Sequence, residues 1–93
     1  MSDVMAGLRV RFAARCAGDL TRLRELVAAG RIDSDDGRAL AHSLAGAGAT
    51  FGFPDVSTAA GRLDDAHAEG RTPSAAEVAA LIAALDAVVT PAS

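Results

Sequence analysis

The side chains in this chain that could do chemistry are few: His42, His67, Cys16, Ser43 and the short run Asp33-Ser34-Asp35-Asp36-Gly37. Imidazoles serve as nucleophiles, proton carriers and metal ligands near neutral pH. His67 stands among Asp64, Asp65 and Glu69. No His-x-x-x-His or Glu-x-x-His pair accompanies it, so a metal site is not expected there. Its place near the end of a helix predicts a surface histidine, where positive charge is favoured. The acidic run lacks the ligand spacing and closing Glu of a calcium loop, and helix capping explains it more simply. Ser43 is not framed by a Gly-x-Ser-x-Gly elbow. No glycine-rich nucleotide loop is present. The single cysteine excludes an internal disulfide, and Cys16 is expected to be a small buried core residue. His42 is left as the residue to place.

Four helices are expected to do the placing. The first spans about Asp3 to Ala29, with Met5, Leu8, Phe12, Cys16, Leu20, Leu23 and Val27 recurring at helical spacing. Gly18-Asp19 interrupts that pattern as a kink or a break, and Gly30 is placed to cap the end. The second helix begins near Ser34 or Asp35, which with Asp36 cap it and add favourable negative charge to its N-terminus. It runs to about Thr50 on a stripe of Leu40, Leu44, Ala47 and Phe51. Gly52-Phe53-Pro54-Asp55 reads as a turn. A third helix, roughly Pro54 to Ala68, turns Val56, Ala59, Ala60 and Leu63 inward. Ser74-Ala75-Ala76-Glu77 is a capping box. It opens a last helix from Ala75 to Val89 that buries Val78, Leu81, Ile82 and Leu85, and Thr90-Pro91 ends it.

Composition agrees. Hydrophobic residues make up 51% of the chain, with aromatics only 3%, and alanine, the best helix former, supplies much of the apolar share. The expected fold is all-α, an antiparallel up-down-up-down four-helix bundle, since short connectors favour antiparallel neighbours. At 93 residues the whole chain, 1–93, is expected to be one domain. A net charge of -3 with no basic stripe argues against nucleic-acid binding. No apolar run approaches the ~20 residues of a membrane span, and Met1 to Arg11 lacks the layout of a signal peptide. A cytoplasmic location and no membrane partner are the corresponding expectations.

His42 follows Leu40 by two residues and precedes Leu44 by two. At ~100° per residue it therefore lies roughly 200° around the helix from either. The leucines point inward, so His42 points outward near mid-helix. Arg38 lies one turn before it, Ala45 and Gly46 one turn after, and Ala49 two turns after. An exposed face normally carries long charged side chains. This one carries small ones, which would let a docking partner approach the imidazole closely. Gly46 costs the helix roughly 1 kcal/mol relative to Ala, and it lies opposite the core stripe. Gly48, four residues after Leu44, is better placed to let two helices approach.

The segment Leu40-Ala41-His42-Ser43-Leu44-Ala45-Gly46-Ala47-Gly48-Ala49-Thr50-Phe51-Gly52 resembles the central helix of histidine phosphotransfer domains. Their pattern is His-x-Leu-Lys-Gly, then small residues and a turn glycine. His42, Leu44, Gly46 and Gly52 match it, and Val56 to Asp65, with Ala60 and Leu63, resembles the helix that follows. The likeness spans roughly Leu8 to Val89. It implies a phosphorelay carrier that takes a phosphoryl group on His42 from a receiver-domain aspartyl phosphate and passes it to another receiver aspartate. The neutral form of an imidazole carries a lone pair that can attack phosphorus.

The implied partners are response-regulator receiver domains or a hybrid histidine kinase. The implied docking face is Arg38, Ser43, Ala45, Gly46 and Ala49, with nearby parts of the first helix. No cofactor is expected on this chain, Mg²⁺ belonging to the receiver, and no autokinase activity is expected. Ala45 departs from the family, which often carries Lys there to offer charge to the phosphoryl group. Arg38 is the expected substitute, with Arg62 on the third helix a further candidate. The alternative reading is a non-catalytic helical adaptor derived from such a domain.

Overall fold

The computed structural model describes residues 2–90, which form helices α1 (Ser2–Ala28), α2 (Asp35–Phe51), α3 (Pro54–Ala68) and α4 (Ala75–Val89). Among the described residues there is no strand. Each helix packs on the next in sequence, and α4 closes back on α1. No helix among the described residues is long and apolar enough to cross a membrane.

The caps explain the boundaries. Ser34 accepts a hydrogen bond from the Gly37 amide at the start of α2, with Asp35 and Asp36 in its first turn. Pro54 opens α3, where its missing N–H costs nothing. The capping box of α4 is complete: Ser74 Oγ accepts from the Glu77 amide at 3.1 Å, and Glu77 accepts from the Ser74 amide at 2.8 Å. At the end of α1 the Gly30 amide donates to Val27 and the Arg31 amide to Leu26, with Gly30 at φ 68°. That is a Schellman cap, and glycine tolerates its left-handed backbone. Val89 ends α4; Pro91, expected to stop that helix, lies outside the described residues.

One core joins all four helices. Phe12, Cys16, Leu20 and Leu23 of α1 meet Leu40, Ala41 and Leu44 of α2, Val56, Ala59, Ala60 and Leu63 of α3, and Val78, Leu81 and Leu85 of α4. Phe12 packs between Phe51 and Phe53, ring centroids 5.5 and 5.0 Å away, and closes one end of the core. The α2–α3 seam is the tightest. A Cβ on Gly48 would stand 2.8 Å from the backbone nitrogen of Ser57, so only glycine lets the two backbones approach this closely.

The expected core differs from the observed one in α1. Gly18-Asp19 does not break it: α1 is one continuous helix from Ser2 to Ala28, despite the weak intrinsic helix propensity of glycine. Met5 and Val27 are exposed rather than buried. With 27 residues, α1 is about 40 Å long, while the other helices have 15 to 17. Its ends therefore outrun the helices that would cover them. Ile82 of α4 is half-buried, packed against the core but not within it.

Candidate functional site

Leu40 and Leu44 are buried on α2, which turns His42 to the opposite side with its side chain 79% exposed. Its Nδ1 lies 3.1 Å from Oδ2 of Asp64 on α3. A carboxylate only accepts, so Nδ1–H donates and the lone pair sits on Nε2. In the neutral ring the carboxylate thus selects the Nδ1–H tautomer and leaves the lone pair of Nε2 unengaged. Asp64 reaches this position because Ala60 and Leu63 face the core and Asp64 follows them on the rim toward α2.

A second flank comes from α1. Arg15 Nη2 donates to Ser43 Oγ at 2.6 Å, and Arg15 Nε donates to Asp19 Oδ2 at 3.1 Å. Its Cζ also lies 5.9 Å from the Phe12 ring centroid. The guanidinium is thereby held beside the residue that follows His42. Phe12 and Cys16 are buried, which turns Arg15 to the α2 rim of α1.

The five expected docking positions do not form one uniform face. Arg38, Ser43, Gly46 and Ala49 are exposed on α2 with His42. A Cβ built on Gly46 would meet nothing within 4 Å, so this glycine serves no helix–helix contact. Ala45 is half-buried against the core instead, on the α3 side of the helix, and its carbonyl accepts from Ser57 Oγ at 2.7 Å. It falls about 60° from His42 around the axis, on the side where α3 packs. The arginines expected to serve the site are turned elsewhere. Arg38 Nε donates to the carbonyl of Asp33 at 3.2 Å. Arg62 lies in the groove between α3 and α4 beside Ala80, Ala83 and Ala87; it is roughly 200° around α3 from Asp64.

His67 is a correction. It is buried, 6% exposed, not a surface residue. Its Nε2–H donates to the Ile32 carbonyl at 3.2 Å, with Asp33 Oδ1 at 3.5 Å. Asp33 also accepts from Thr72 Oγ1. The imidazole therefore ties the α1–α2 connector to the end of α3, and Asp33 extends the tie to the α3–α4 connector. Its Nδ1 has no hydrogen-bond partner among the described residues, a burial that costs about 1–3 kcal/mol. His67 lies four residues after Leu63, on the same inward stripe, and that spacing outweighs the helix-end charge preference. Among the described residues no three His, Cys, Asp or Glu side chains converge as a metal site would require.

Cys16 is fully buried, and burial pushes its thiol up to about 11, with Asp19 adding to the rise and Arg15 opposing it. It is a packing residue and not a nucleophile. Sequence reasoning missed Asp64 and Arg15 because each reaches α2 from another helix, Asp64 at His42 and Arg15 at Ser43. The available signals were weak: a small polar stripe, Ser57, Gly61 and Asp64, and one arginine among five on α1.

The site is thus an exposed imidazole on α2, with a carboxylate on its Nδ1 edge, a guanidinium on the neighbouring Ser43, and small residues at Gly46 and Ala49 on the same exposed side. A family model described as Hpt domain matches residues 7–90. No curated protein and no solved structure matches the chain.

Proposed function

Because the chain belongs to the Hpt domain family, whose members are phosphocarriers of phosphorelays rather than autokinases, we propose that His42 accepts a phosphoryl group from a receiver aspartyl phosphate and donates it to a second receiver aspartate. The single observation that carries this reading is the pairing of a 79%-exposed His42 with Asp64 at 3.1 Å. Nε2 attacks phosphorus in line with the leaving oxygen. The N–P bond forms as the P–O bond breaks, and the receiver carboxylate departs with that electron pair. The ring becomes positively charged as it attacks, and the Asp64 carboxylate on Nδ1–H stabilises that charge. The transition state is loose, so positioning and electrostatics supply most of the catalysis. Return of the phosphoryl group to the next aspartate is the same step in reverse.

In this reading the receiver brings the acidic pocket and Mg²⁺, and this chain supplies neither metal nor nucleotide. The docking face is Arg38, Ser43, Gly46 and Ala49, with Ala45 at its α3 margin. The whole chain, 1–93, acts as one domain, supported by the single core that joins its four helices. The helices run up-down-up-down and antiparallel, supported by connectors of a few residues and by neighbours in cyclic order. The site of action is cytoplasmic, where receivers are found.

A reconstituted relay tests the proposal. Labelled phosphate on one receiver should reach a second receiver only when this chain is added, and His42→Gln should abolish the transfer. A folded His42→Gln variant that still relays phosphate would contradict the proposal and favour an adaptor that merely brings the two receivers together.

A further inference from the structure

A phosphoryl group on Nε2 adds two negative charges beside α2, and Ala45 offers no cation where the family pattern places lysine. Resting on the reading of His42 as phosphoacceptor, we propose that Arg15 of α1 is the phosphoryl-binding cation of this site. The residue that meets the phosphate thus comes from the neighbouring helix and not from the helix that bears the histidine.

Three observations carry it. First, Arg15 reaches the residue that follows the acceptor: its Nη2 lies 2.6 Å from Oγ of Ser43, the next residue along α2 after His42. Second, Asp64 holds the opposite edge of the imidazole at Nδ1. Nε2 is therefore the ring nitrogen turned away from the α3 carboxylate, on a side chain that is 79% exposed. The charge order suits the reaction, with an anion behind the ring that becomes positive and a cation toward the group that is negative. Third, the other nearby arginines are engaged away from it. Arg38 donates to the Asp33 carbonyl, Arg22 pairs with Asp36, and Arg62 lies in the α3–α4 groove.

Arg15 has the donors for this role. A guanidinium carries five N–H groups in a planar fork suited to phosphate. One goes to Ser43 and one to Asp19, which leaves three to turn toward an oxygen on phosphorus. Its side chain is 40% exposed, so it is free to pivot about the Asp19 tether. The Ser43 hydroxyl, while accepting from Arg15, keeps its own O–H to donate to a second phosphoryl oxygen.

The test uses phosphoramidate as donor, so that no partner protein enters. Its phosphorus gains the bond to Nε2 and loses the bond to nitrogen, which leaves as ammonia. Phosphorus NMR then follows the second ionisation of the phosphoryl group with pH. A nearby guanidinium favours the dianion, so Arg15→Gln should raise the midpoint by about 0.5 pH unit or more, and Arg15→Lys should restore most of that shift. Arg38→Gln should leave it in place. In parallel, transfer from a phosphorylated receiver should slow about tenfold in Arg15→Gln at unchanged thermal stability. A purely structural Arg15 would not move the phosphorus titration. Arg15→Gln titrating and transferring like the wild type, or Arg38→Gln taking the loss, would overturn the assignment while leaving His42 as acceptor. A folded wild type that takes no phosphate on His42 from either donor would overturn both.

Discussion

Gly46 and Gly48 lie two residues apart on one helix, and the same substitution should move stability in opposite directions at the two. Replacing either with alanine removes the entropic penalty of glycine in a helix, worth up to about 1 kcal/mol. At Gly46 nothing stands within 4 Å of the added Cβ, so that gain is kept. At Gly48 the Cβ would lie 2.8 Å from Ser57 N, 3.1 Å from Ser57 Cα and 3.2 Å from the Phe53 carbonyl oxygen. These are backbone atoms, and no side chain can swing aside. α3 must slide from α2, disturbing the contact that sets Asp64 against His42. Overpacking of this kind costs about 1–3 kcal/mol, and the backbone contacts place it toward the upper end. The net loss is then about 1–2 kcal/mol. In a domain of this size 1 kcal/mol moves Tm by roughly 4–8 °C. Thermal unfolding followed by circular dichroism should show Gly46→Ala up by several degrees and Gly48→Ala down by roughly 4–16 °C. Gly48→Ala melting at or above the wild type would refute the close-approach reasoning.

Asp64→Ala should slow phosphotransfer roughly tenfold, the lower end of what a charge-assisted hydrogen bond contributes. Nitrogen NMR of the imidazole should show the loss of the Nδ1–H preference. Glu77 is held at about 2 by its hydrogen bonds to Arg71 and Ser74. A depressed carboxyl stabilises the fold above its unfolded value and loses that contribution as pH falls toward its folded one. Melting temperatures should therefore show a decline between pH 4.5 and 2 that Glu77→Gln reduces. Cys16, buried and raised to about 11, should resist iodoacetamide at pH 8 in the native protein and react readily once denatured; fast native labelling would contradict its burial.

Much of this arrangement is legible in the sequence because local rules decide it. Ser34, Pro54, Gly30 and the Ser74–Glu77 box mark helix ends by their own chemistry. The two-residue offset between His42 and its leucines fixes an outward imidazole without any tertiary knowledge. What lay beyond the sequence depends on which helix stands next to which. Asp64 meets His42 from α3 and Arg15 meets Ser43 from α1, and nothing in their own segments announces those meetings. Ala45 turns partly inward because α3 packs on that side of α2. For His67 two local rules competed, and the stripe continuing from Leu63 prevailed over the charge preference of a helix end. Met5 and Val27 fit the periodicity of α1 but lie where no other helix covers them, since period alone does not report how far the neighbours extend.

The central claim is that phosphate is carried on the imidazole of His42. It is tested most directly by intact-mass and fragment analysis after incubation with a phosphorylated receiver, using the wild type, His42→Gln and His67→Gln. The account predicts one acid-labile, base-stable phosphoryl group on the wild type, located at His42, retained in folded His67→Gln and absent from His42→Gln. Phosphate located at any other residue, or a folded His42→Gln that is still labelled, would contradict it.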